Sequence, residues 1–314
     1  MPSRMLPVPA EFVGVRADTA LARMTGLSRA RVQAIIAAGD VTQAGRRLHK
    51  ADPLAAEGLV TLYWEEVDRL AVHPVDVPEL RIVHLDDDIV IVDKPVGVVA
   101  HPATSWTGPT VLGVLASRGI SVARSGPPER QGIVHRLDVG TSGLMIVARS
   151  EPAYSVLKRM FREHTVRKTY HAVVHGLPDP TTGTIDAPIG RLPRADWKFG
   201  VVAGGRPSVT HYRTLEAFPL GTLVEVRLET GRTHQIRVHM SAVHHPLVGD
   251  PLYGGDMALA ERLGLPRQWL HAVRLEFDHP VTGEPMRVES EPPEDLRRAL
   301  ALLRDPSGAV PPAA

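Results

Sequence analysis

The sequence predicts an α+β fold: a large mixed, mainly antiparallel sheet with flanking helices, preceded by a small N-terminal α/β domain. Alternating apolar and polar runs, which are typical of half-buried strands, outnumber helical patterns. Short turns separate consecutive runs, so most strands are expected to pair with a neighbour along the chain. A hydrophobic content of 43% over 314 residues can fill one domain-sized core and a second, smaller one.

The beginning of the chain predicts a compact basic domain over residues 12–66. Asp18 is a candidate N-cap for a helix that ends at Gly26, and Ser28 for a second helix that ends at Gly39. Short extended runs follow. Exposed basic side chains are expected at Arg29, Arg31, Arg46 and Arg47. Residues 67–80 contain two prolines, which predicts a linker.

Strand patterns dominate the second predicted domain, residues 81–305. The strand-like runs are 81–85, 89–95, 132–138, 143–149, 168–176, 208–218, 221–230 and a hairpin over 270–288. Helical patterns occupy 110–119, a stretch that Ser150 caps, and 293–305. Residues 306–314 are rich in proline and alanine and are predicted to be disordered.

The composition excludes several kinds of protein. The chain has no cysteine, which excludes disulfides and thiolate metal sites and fits a reducing cytoplasm. Its first residues lack the apolar run of a signal peptide, and no window approaches the roughly 18 apolar residues of a membrane span. We therefore expect a cytoplasmic protein without a membrane partner.

Charge is distributed unevenly along the chain. Residues 1–50 carry eight Lys or Arg against three Asp or Glu, and 129–170 and 190–240 each carry eight against four. An acidic stretch separates the first basic block from the second. This pattern indicates a polyanionic partner, although ordinary variation of charge along a chain also produces such blocks.

The stretch GIVHRLDVGTSGLMIVAR, residues 132–149, places Asp138 between two apolar runs. An unpaired charge costs several kcal/mol in a buried strand, so Asp138 is either a structural partner of Arg136 or a residue that does chemistry. The two glycines that follow allow the backbone to approach a ligand closely. The hydrolase pattern G-x-S-x-G is excluded, because Leu144 occupies its last position.

A second stretch, LETGRTHQIRVHMSAVHHPLVGD at 228–250, predicts a helix capped by Thr233. Its apolar stripe leaves Arg237 on a polar face, as a candidate partner for an acidic group. Four histidines occur here, but His234 and His239 are five residues apart and cannot share one face of a helix or strand, so no metal site is predicted. No phosphate-binding glycine loop is present, which disfavours a nucleotide cofactor.

Several motifs together resemble the RluA/RluD-type pseudouridine synthases. They are the 132–149 stretch, DKPVGVVAHP at 93–102, RKTYHAVVHG at 167–176, LETGRTHQIRVHM from 228 and HPLVGDPLYG ending at 254. The N-terminal domain resembles a small RNA-binding domain of ribosomal-protein type that members of this family carry. The resemblance covers about residues 12–305. It implies the pseudouridine synthase fold, no cofactor and no metal.

Transferred residue by residue, the resemblance makes Asp138 the catalytic aspartate, Tyr170 the active-site tyrosine and Arg237 the arginine that pairs with the aspartate. Asp138 would attack the ring, attack the sugar or remove a proton. Expected RNA-binding residues are His135, Arg136, Lys168, Arg232, His234, Gln235, Arg29, Arg31, Arg46 and Arg47.

The function implied is conversion of specific uridines to pseudouridine after base flipping, in 23S ribosomal RNA because the N-terminal domain is present. The alternatives are a tRNA pseudouridine synthase and a non-catalytic RNA-binding or ribosome-assembly protein. We expect a monomer without an obligate protein partner.

Overall fold

A computed structural model of the chain describes residues 3–27, 29–63, 71–103, 106–193 and 195–305. It divides into two compact units, Met1–Asp68 and Arg69–Ala314. The predicted first domain, 12–66, falls within the first unit. The predicted tail, 306–314, lies outside the described residues, as do Ser28 and the side chain of Arg31.

The first unit packs two helices on a small antiparallel sheet. Its elements are β1 (Ser3–Leu6), α1 (Ala17–Thr25), α2 (Arg29–Ala37), β2 (Val41–Gln43), β3 (Arg46–Arg47) and β4 (Val60–Tyr63), with a 3₁₀ turn at Ala10–Phe12. The strand order is β1-β4-β2-β3, so the unpredicted β1 forms one edge. Leu21 and Ile35 from the helices meet Val41 and Leu62 from the sheet in the core.

Asp18 was predicted to cap α1, and this was wrong. The N-cap position is Arg16, and Asp18 lies inside the first turn with its side chain fully buried. Its carboxylate accepts hydrogen bonds from Arg16, Arg29 and other polar side chains rather than from the helix backbone. Two nearby guanidinium groups compete successfully for a carboxylate that could otherwise have capped the helix.

The second unit is built on one large sheet. Its strands are β5 (Arg81–Leu85), β6 (Ile89–Lys94), β7 (Ser142–Ala148), β8 (Arg167–Val174), β9 (Thr182–Asp186), β10 (Ile189–Leu192), β11 (Ala195–Val201), β12 (Val209–Phe218), β13 (Gly221–Leu228), β14 (Leu270–Asp278) and β15 (Pro285–Glu289). The order in the sheet is β5-β6-β7-β14-β8-β13-β12-β9, with β15 also paired to β14, while β10 and β11 form a separate ribbon.

The helices of this unit are α3 (Val111–Ser117), α4 (Glu151–Arg162), α5 (Gln235–Ala242), α6 (Met257–Arg262) and α7 (Glu294–Arg304). Ser150 caps α4 as predicted, its hydroxyl accepting the amide hydrogen of Ala153. In the described part of the chain, β7 and β14 form the parallel pair of the sheet, and the other ladders are antiparallel. The predicted fold class is confirmed.

Residues 132–138 were predicted to be a strand and are instead an extended loop, apart from one bridge between Ile133 and Val147. The reason is the short pairing between β7 and β14, which ends after Gly143. The loop covers the free edge of β7 beyond that point. One edge amide, that of Ile146, is satisfied by the ring of His135 rather than by a backbone carbonyl.

Residues 71–80, part of the predicted linker, belong to the second unit. Leu80 is buried in the main core, and Arg118 donates to the carbonyls of Val77 and Leu80. None of the helices in the described ranges combines the length and apolarity needed to cross a bilayer.

Candidate active site

Asp138 lies in the segment 132–141, which leads directly into β7 and is held by several contacts. Leu137 is buried in the main core. The carbonyl of Val139 accepts the amide hydrogen of Gly97 at 3.0 Å. These contacts hold the backbone in place, while the Asp138 side chain keeps 15% of its surface exposed.

Lys94 organises the turn that contains Gly97. The side chain is fully buried, and its Nζ donates to the carbonyls of Pro95 at 2.9 Å and Val98 at 2.7 Å. Burial lowers the pKa of Lys94 to about 7, although the negative charge of Asp138 acts in the opposite direction. The DKPVGVVAHP motif therefore serves as the support of the Asp138 loop.

Arg237 connects Asp138 to a second carboxylate. Its Nη1 lies 3.5 Å from Asp138 Oδ2, at the outer limit of a hydrogen bond. Its Nε and Nη2 donate to Asp250 at 2.7 and 2.9 Å in a bidentate pair. Burial alone would lower the pKa of Arg237, but the hydrogen bonds and charge of Asp250, together with Asp138, raise it. The guanidinium group is thus held charged and in one orientation.

His234 and Tyr253 complete the surroundings of Asp138. Thr233 was predicted to cap α5, and this was wrong: His234 occupies the N-cap position in a left-handed conformation, φ +56°. Such a backbone costs about 1–3 kcal/mol for a residue other than glycine. It places Nδ1 2.9 Å from the Tyr253 hydroxyl and Nε2 3.8 Å from Asp138. Burial lowers the pKa of His234, so the ring is neutral at pH 7.

Tyr170 belongs to β8 in the middle of the sheet, between Val226 of β13 and Ala272 of β14. Its side chain is buried, yet it lines the same cleft as Asp138. Burial, with the nearby charge of Asp138, raises its pKa, so Tyr170 is a neutral phenol. Strands on both sides hold its backbone in place, which suits a surface on which a planar group stacks.

The cleft has a volume of about 750 Å³. Among the described residues that line it, Asp138 is the one acidic side chain. The basic side chains that line it are Arg130, Arg136, Lys158, Arg162, Lys168, Arg206, Arg232 and Arg237. A cleft of this size and charge suits an anionic ligand as large as a nucleotide.

His135 and Lys168, two of the predicted site residues, line the cleft, and their surroundings change the pKa of each. The His135 ring stacks on Phe161 at 4.5 Å, and its Nε2 accepts the Ile146 amide hydrogen. Burial lowers the pKa of His135 to about 3, so it is neutral. Burial, and then the charge of Arg232, lower the pKa of Lys168 to about 8.

The structure brings nine of the predicted site residues to one cleft: His135, Arg136, Asp138, Lys168, Tyr170, Arg232, His234, Gln235 and Arg237. The Gln235 amide is engaged within the fold, accepting from Thr230 and Arg232 and donating to Val209 and Thr210.

The predicted RNA-binding residues of the N-terminal domain belong to the first unit. There Arg29 pairs with Asp18, Arg46 lies 3.5 Å from Asp52, and Arg47 is exposed. Their roles in binding RNA stay predictions.

Three residues of the site escaped the sequence reasoning: Asp250, Tyr253 and Lys94. Each belongs to a motif that carried the family resemblance. A fully buried carboxylate such as Asp250 needs a charged partner, but the sequence does not say which arginine supplies it.

One group of potential metal ligands occurs among the described residues, at Asp86, Asp88 and His279, and it does not line the cleft. His279 Nδ1 accepts the amide hydrogens of Val281 and Thr282, and its Nε2 faces Asp86 at 3.2 Å. The proton therefore resides on Nε2, where it donates to the carboxylate and leaves no lone pair for a metal.

Comparison with known proteins relates this chain to RNA-modifying enzymes. The family model described as RNA pseudouridylate synthase matches residues 88–242. An uncharacterized RNA pseudouridine synthase of Mycobacterium bovis is 53% identical over 97% of this chain and 99% of its own length. The ribosomal large subunit pseudouridine synthase D of Xanthomonas campestris is 42% identical over 97% of this chain and 93% of its own.

Solved structures give the same relationship. The human protein RNA Pseudouridylate Synthase Domain Containing 1 superposes with a TM-score of 0.57 and 29% identity, over 70% of this chain and 86% of that one. Human RNA Pseudouridylate Synthase Domain Containing 4 gives a TM-score of 0.55 and 25% identity, over 71% and 92%.

Proposed function

This chain belongs to the RNA pseudouridine synthase family, and we propose that Asp138 is its catalytic residue and a uridine of large-subunit ribosomal RNA its substrate. The protein is thus an RNA pseudouridine synthase whose partner is RNA. The observation that carries the proposal is Asp138 itself, the one carboxylate among the described residues of a cleft whose other charged side chains are Lys and Arg. Phosphates bind the rim, and the carboxylate meets the nucleoside.

The reaction explains why one carboxylate suffices. The bond between uracil N1 and ribose C1′ breaks, the base turns, and a bond forms between C5 and C1′. C5 loses its hydrogen to solvent and N1 gains one, so no outside atom is consumed. A side chain that attacks or stabilises the intermediate and then leaves meets this need. Arg237, 3.5 Å from Asp138, is placed to keep the carboxylate oriented without saturating it.

The uridine must leave its stack to reach Asp138, at a cost of a few kcal/mol. Tyr170 lies in the same cleft, and stacking on its ring would recover about 1–3 kcal/mol. Lys158, Arg162 and Arg232 line the cleft where flanking phosphates would pass. Binding is therefore expected to weaken steeply as salt rises.

Large-subunit ribosomal RNA is proposed as the substrate because full-length relatives are named for that RNA. The first unit is proposed to bind the same RNA through Arg29, Arg46 and Arg47. The protein is proposed to act as a monomer in the cytoplasm. Light scattering that finds a stable dimer would contradict the monomer.

The test is tritium release from RNA labelled at C5 of uridine. Wild type, Asp138→Asn and the matched control Asp87→Asn, an exposed carboxylate in the β5–β6 turn, are assayed on ribosomal RNA and on tRNA. We expect release from ribosomal RNA by wild type and control and none by Asp138→Asn.

Release by Asp138→Asn at the wild-type rate would show that Asp138 is not catalytic. Release from tRNA alone would move the substrate to tRNA. If wild type binds ribosomal RNA without releasing tritium from it at any stage of subunit assembly, an RNA-binding or assembly role replaces the catalytic one.

A further inference from the structure

The ribbon formed by β10 and β11 is anchored against the wall of the cleft. Ile189 at its base is buried with Val238 and Tyr253, and Phe199 packs against the same group. The Phe199 amide donates to the Tyr253 hydroxyl at 3.3 Å, and its ring lies edge-on to His234 at 6.1 Å. The ribbon is therefore fixed to His234, which lies 3.8 Å from Asp138, and to Tyr253, which is hydrogen-bonded to His234.

Trp197 projects from this ribbon two residues before Phe199, a distance of about 7 Å along an extended strand. With 64% of its surface exposed, it is the most exposed large apolar side chain in the described part of the chain. The other two described tryptophans are engaged: Trp269 is buried, and the Trp106 indole donates to the Pro109 carbonyl. Trp197 does not contribute to a core, so the fold alone does not account for it.

Basic side chains accompany Trp197 along the ribbon. Lys198 lies 5.3 Å from the Tyr253 ring, and Arg191 lies 5.3 Å from the Phe199 ring. The Arg206 backbone bonds to Ile189 at the base of the ribbon, and its side chain lines the cleft. These cations continue the basic lining of the cleft outward along the ribbon.

We propose that the ribbon is a second RNA subsite, in which Trp197 stacks on an unpaired base that flanks the target uridine. The proposal rests on the proposed function. Aromatic rings that stack on splayed bases, with cations beside them for the phosphates, are how proteins hold single-stranded RNA. The cations beside the ribbon, Arg191, Lys198 and Arg206, favour a polyanion over an apolar protein surface as the partner.

The experiment measures KM and kcat for tritium release from a transcript of large-subunit ribosomal RNA labelled at C5 of uridine. The variants are Trp197→Ala, Trp197→Phe and Trp197→Leu, with Leu177→Ala as a control for an exposed apolar residue that does not line the cleft. Filter retention of the same transcript gives Kd independently of turnover.

We expect Trp197→Ala to raise KM and Kd about 5- to 100-fold with kcat unchanged. Trp197→Phe should restore most of the affinity, and Trp197→Leu should not. The dependence of Kd on salt should stay that of wild type, because stacking releases no counterions. Leu177→Ala should match wild type.

Two results would overturn the subsite: a Trp197→Ala variant within twofold of wild type in KM and Kd, or full restoration by leucine, which would indicate an apolar contact instead of stacking. Failure of the proposed function is distinguishable from either, because wild type would then release no tritium. In that case, a Kd that still depends on an aromatic residue at position 197 would support stacking of Trp197 on RNA without catalysis.

Discussion

Each of the two units contains an aspartate that is largely shielded from solvent beside arginine, yet the two carboxylates differ sharply in how they are hydrogen-bonded. In the first unit, Asp18 accepts six hydrogen bonds from described residues, at 2.8 to 3.2 Å, from Arg16, Arg29, Gln33 and Thr19. In the second unit, the Asp138 carboxylate accepts one from the residues that the structure describes, from Arg237 at 3.5 Å. Asp18 is fully buried, and Asp138 opens on a cleft.

This difference separates a structural carboxylate from one that is available for chemistry. Hydrogen bonds to all lone pairs stabilise the ionised form and leave no oxygen free to attack a nucleoside. Within the cleft the same division occurs around Arg237. Asp250 takes its bidentate pair and two backbone amides, while Asp138 receives only its remaining nitrogen. Asp250 therefore takes two of the three guanidinium nitrogens of Arg237, and Asp138 is left with a single long hydrogen bond.

The largest expected effect comes from removing the charge of Asp138, the carboxylate with a single long hydrogen bond. Asp138→Asn should lower kcat for tritium release at least about 10³-fold, because an amide neither attacks nor accepts a proton at neutral pH. The free energy of unfolding should change by less than about 0.5 kcal/mol, since so little bonding is lost. Urea denaturation and single-turnover assays check both. A large loss of stability would break the comparison.

The second effect concerns Asp250 as a positioning residue. Asp250→Asn should lower kcat about 10- to 100-fold with KM within about threefold, because Arg237 loses its fixed orientation. Stability should fall by about 3–5 kcal/mol as a buried charged pair is broken. Kinetics are measured well below the melting temperature. The control is Asp256→Asn at the exposed N-cap of α6, where the amide oxygen can still cap the helix, so both stability and kcat should stay close to wild type.

The third effect is confined to stability. Asp18→Asn should destabilise the protein by about 2 kcal/mol at pH 7, as charge-assisted hydrogen bonds weaken, with kcat within twofold of wild type. Thermal melts of both proteins check this. A large fall in kcat at a temperature where the variant is folded would contradict a purely structural role for this carboxylate.

The Asp18 cluster should also respond to acid. Hydrogen bonds from Arg16 and other side chains hold the pKa of Asp18 well below its usual range. Its contribution is therefore complete above the unfolded pKa of about 3.9 and is lost as pH falls below that value. Urea melts between pH 6 and 3 should show wild type losing stability to a greater extent than Asp18→Asn.

The smallest effect is the pH dependence of RNA binding. Because the pKa of Lys168 is lowered to about 8, its charge is present below pH 8 and lost above it. Affinity for ribosomal RNA should fall about threefold between pH 7 and 9, by the energy of one screened ion pair. Lys168→Gln should abolish this fall, whereas the exposed cleft residue Lys158→Gln should retain it. Equal pH dependence in both variants would contradict the assignment.

Much of the architecture could be predicted because it depends on local patterns. The strands β8, β12 and β13 and the turn between β14 and β15 were confirmed, as was the Ser150 cap of α4. The predicted half-buried alternation holds for β12 but was wrong for β8 and β13, because helices and loops cover both faces of the sheet there. Failures occurred where distant groups compete for the same atoms. The Asp18 carboxylate bonds to arginine side chains instead of capping the helix. Residues 132–138 form a loop because the pairing between β7 and β14 ends after Gly143.

The sequence by itself identified three residues that share a site. Its motifs pointed to Asp138, Tyr170 and Arg237, and all three line one cleft. Only the tertiary structure decided how they are bonded. Asp250 lies 13 residues from Arg237 and Asp138 lies 99 away, and the distances separate the partner that saturates the arginine from the one that shares it weakly. Hydrogen bonding depends on distance and angle at tenths of an ångström, which residue types and spacing do not specify.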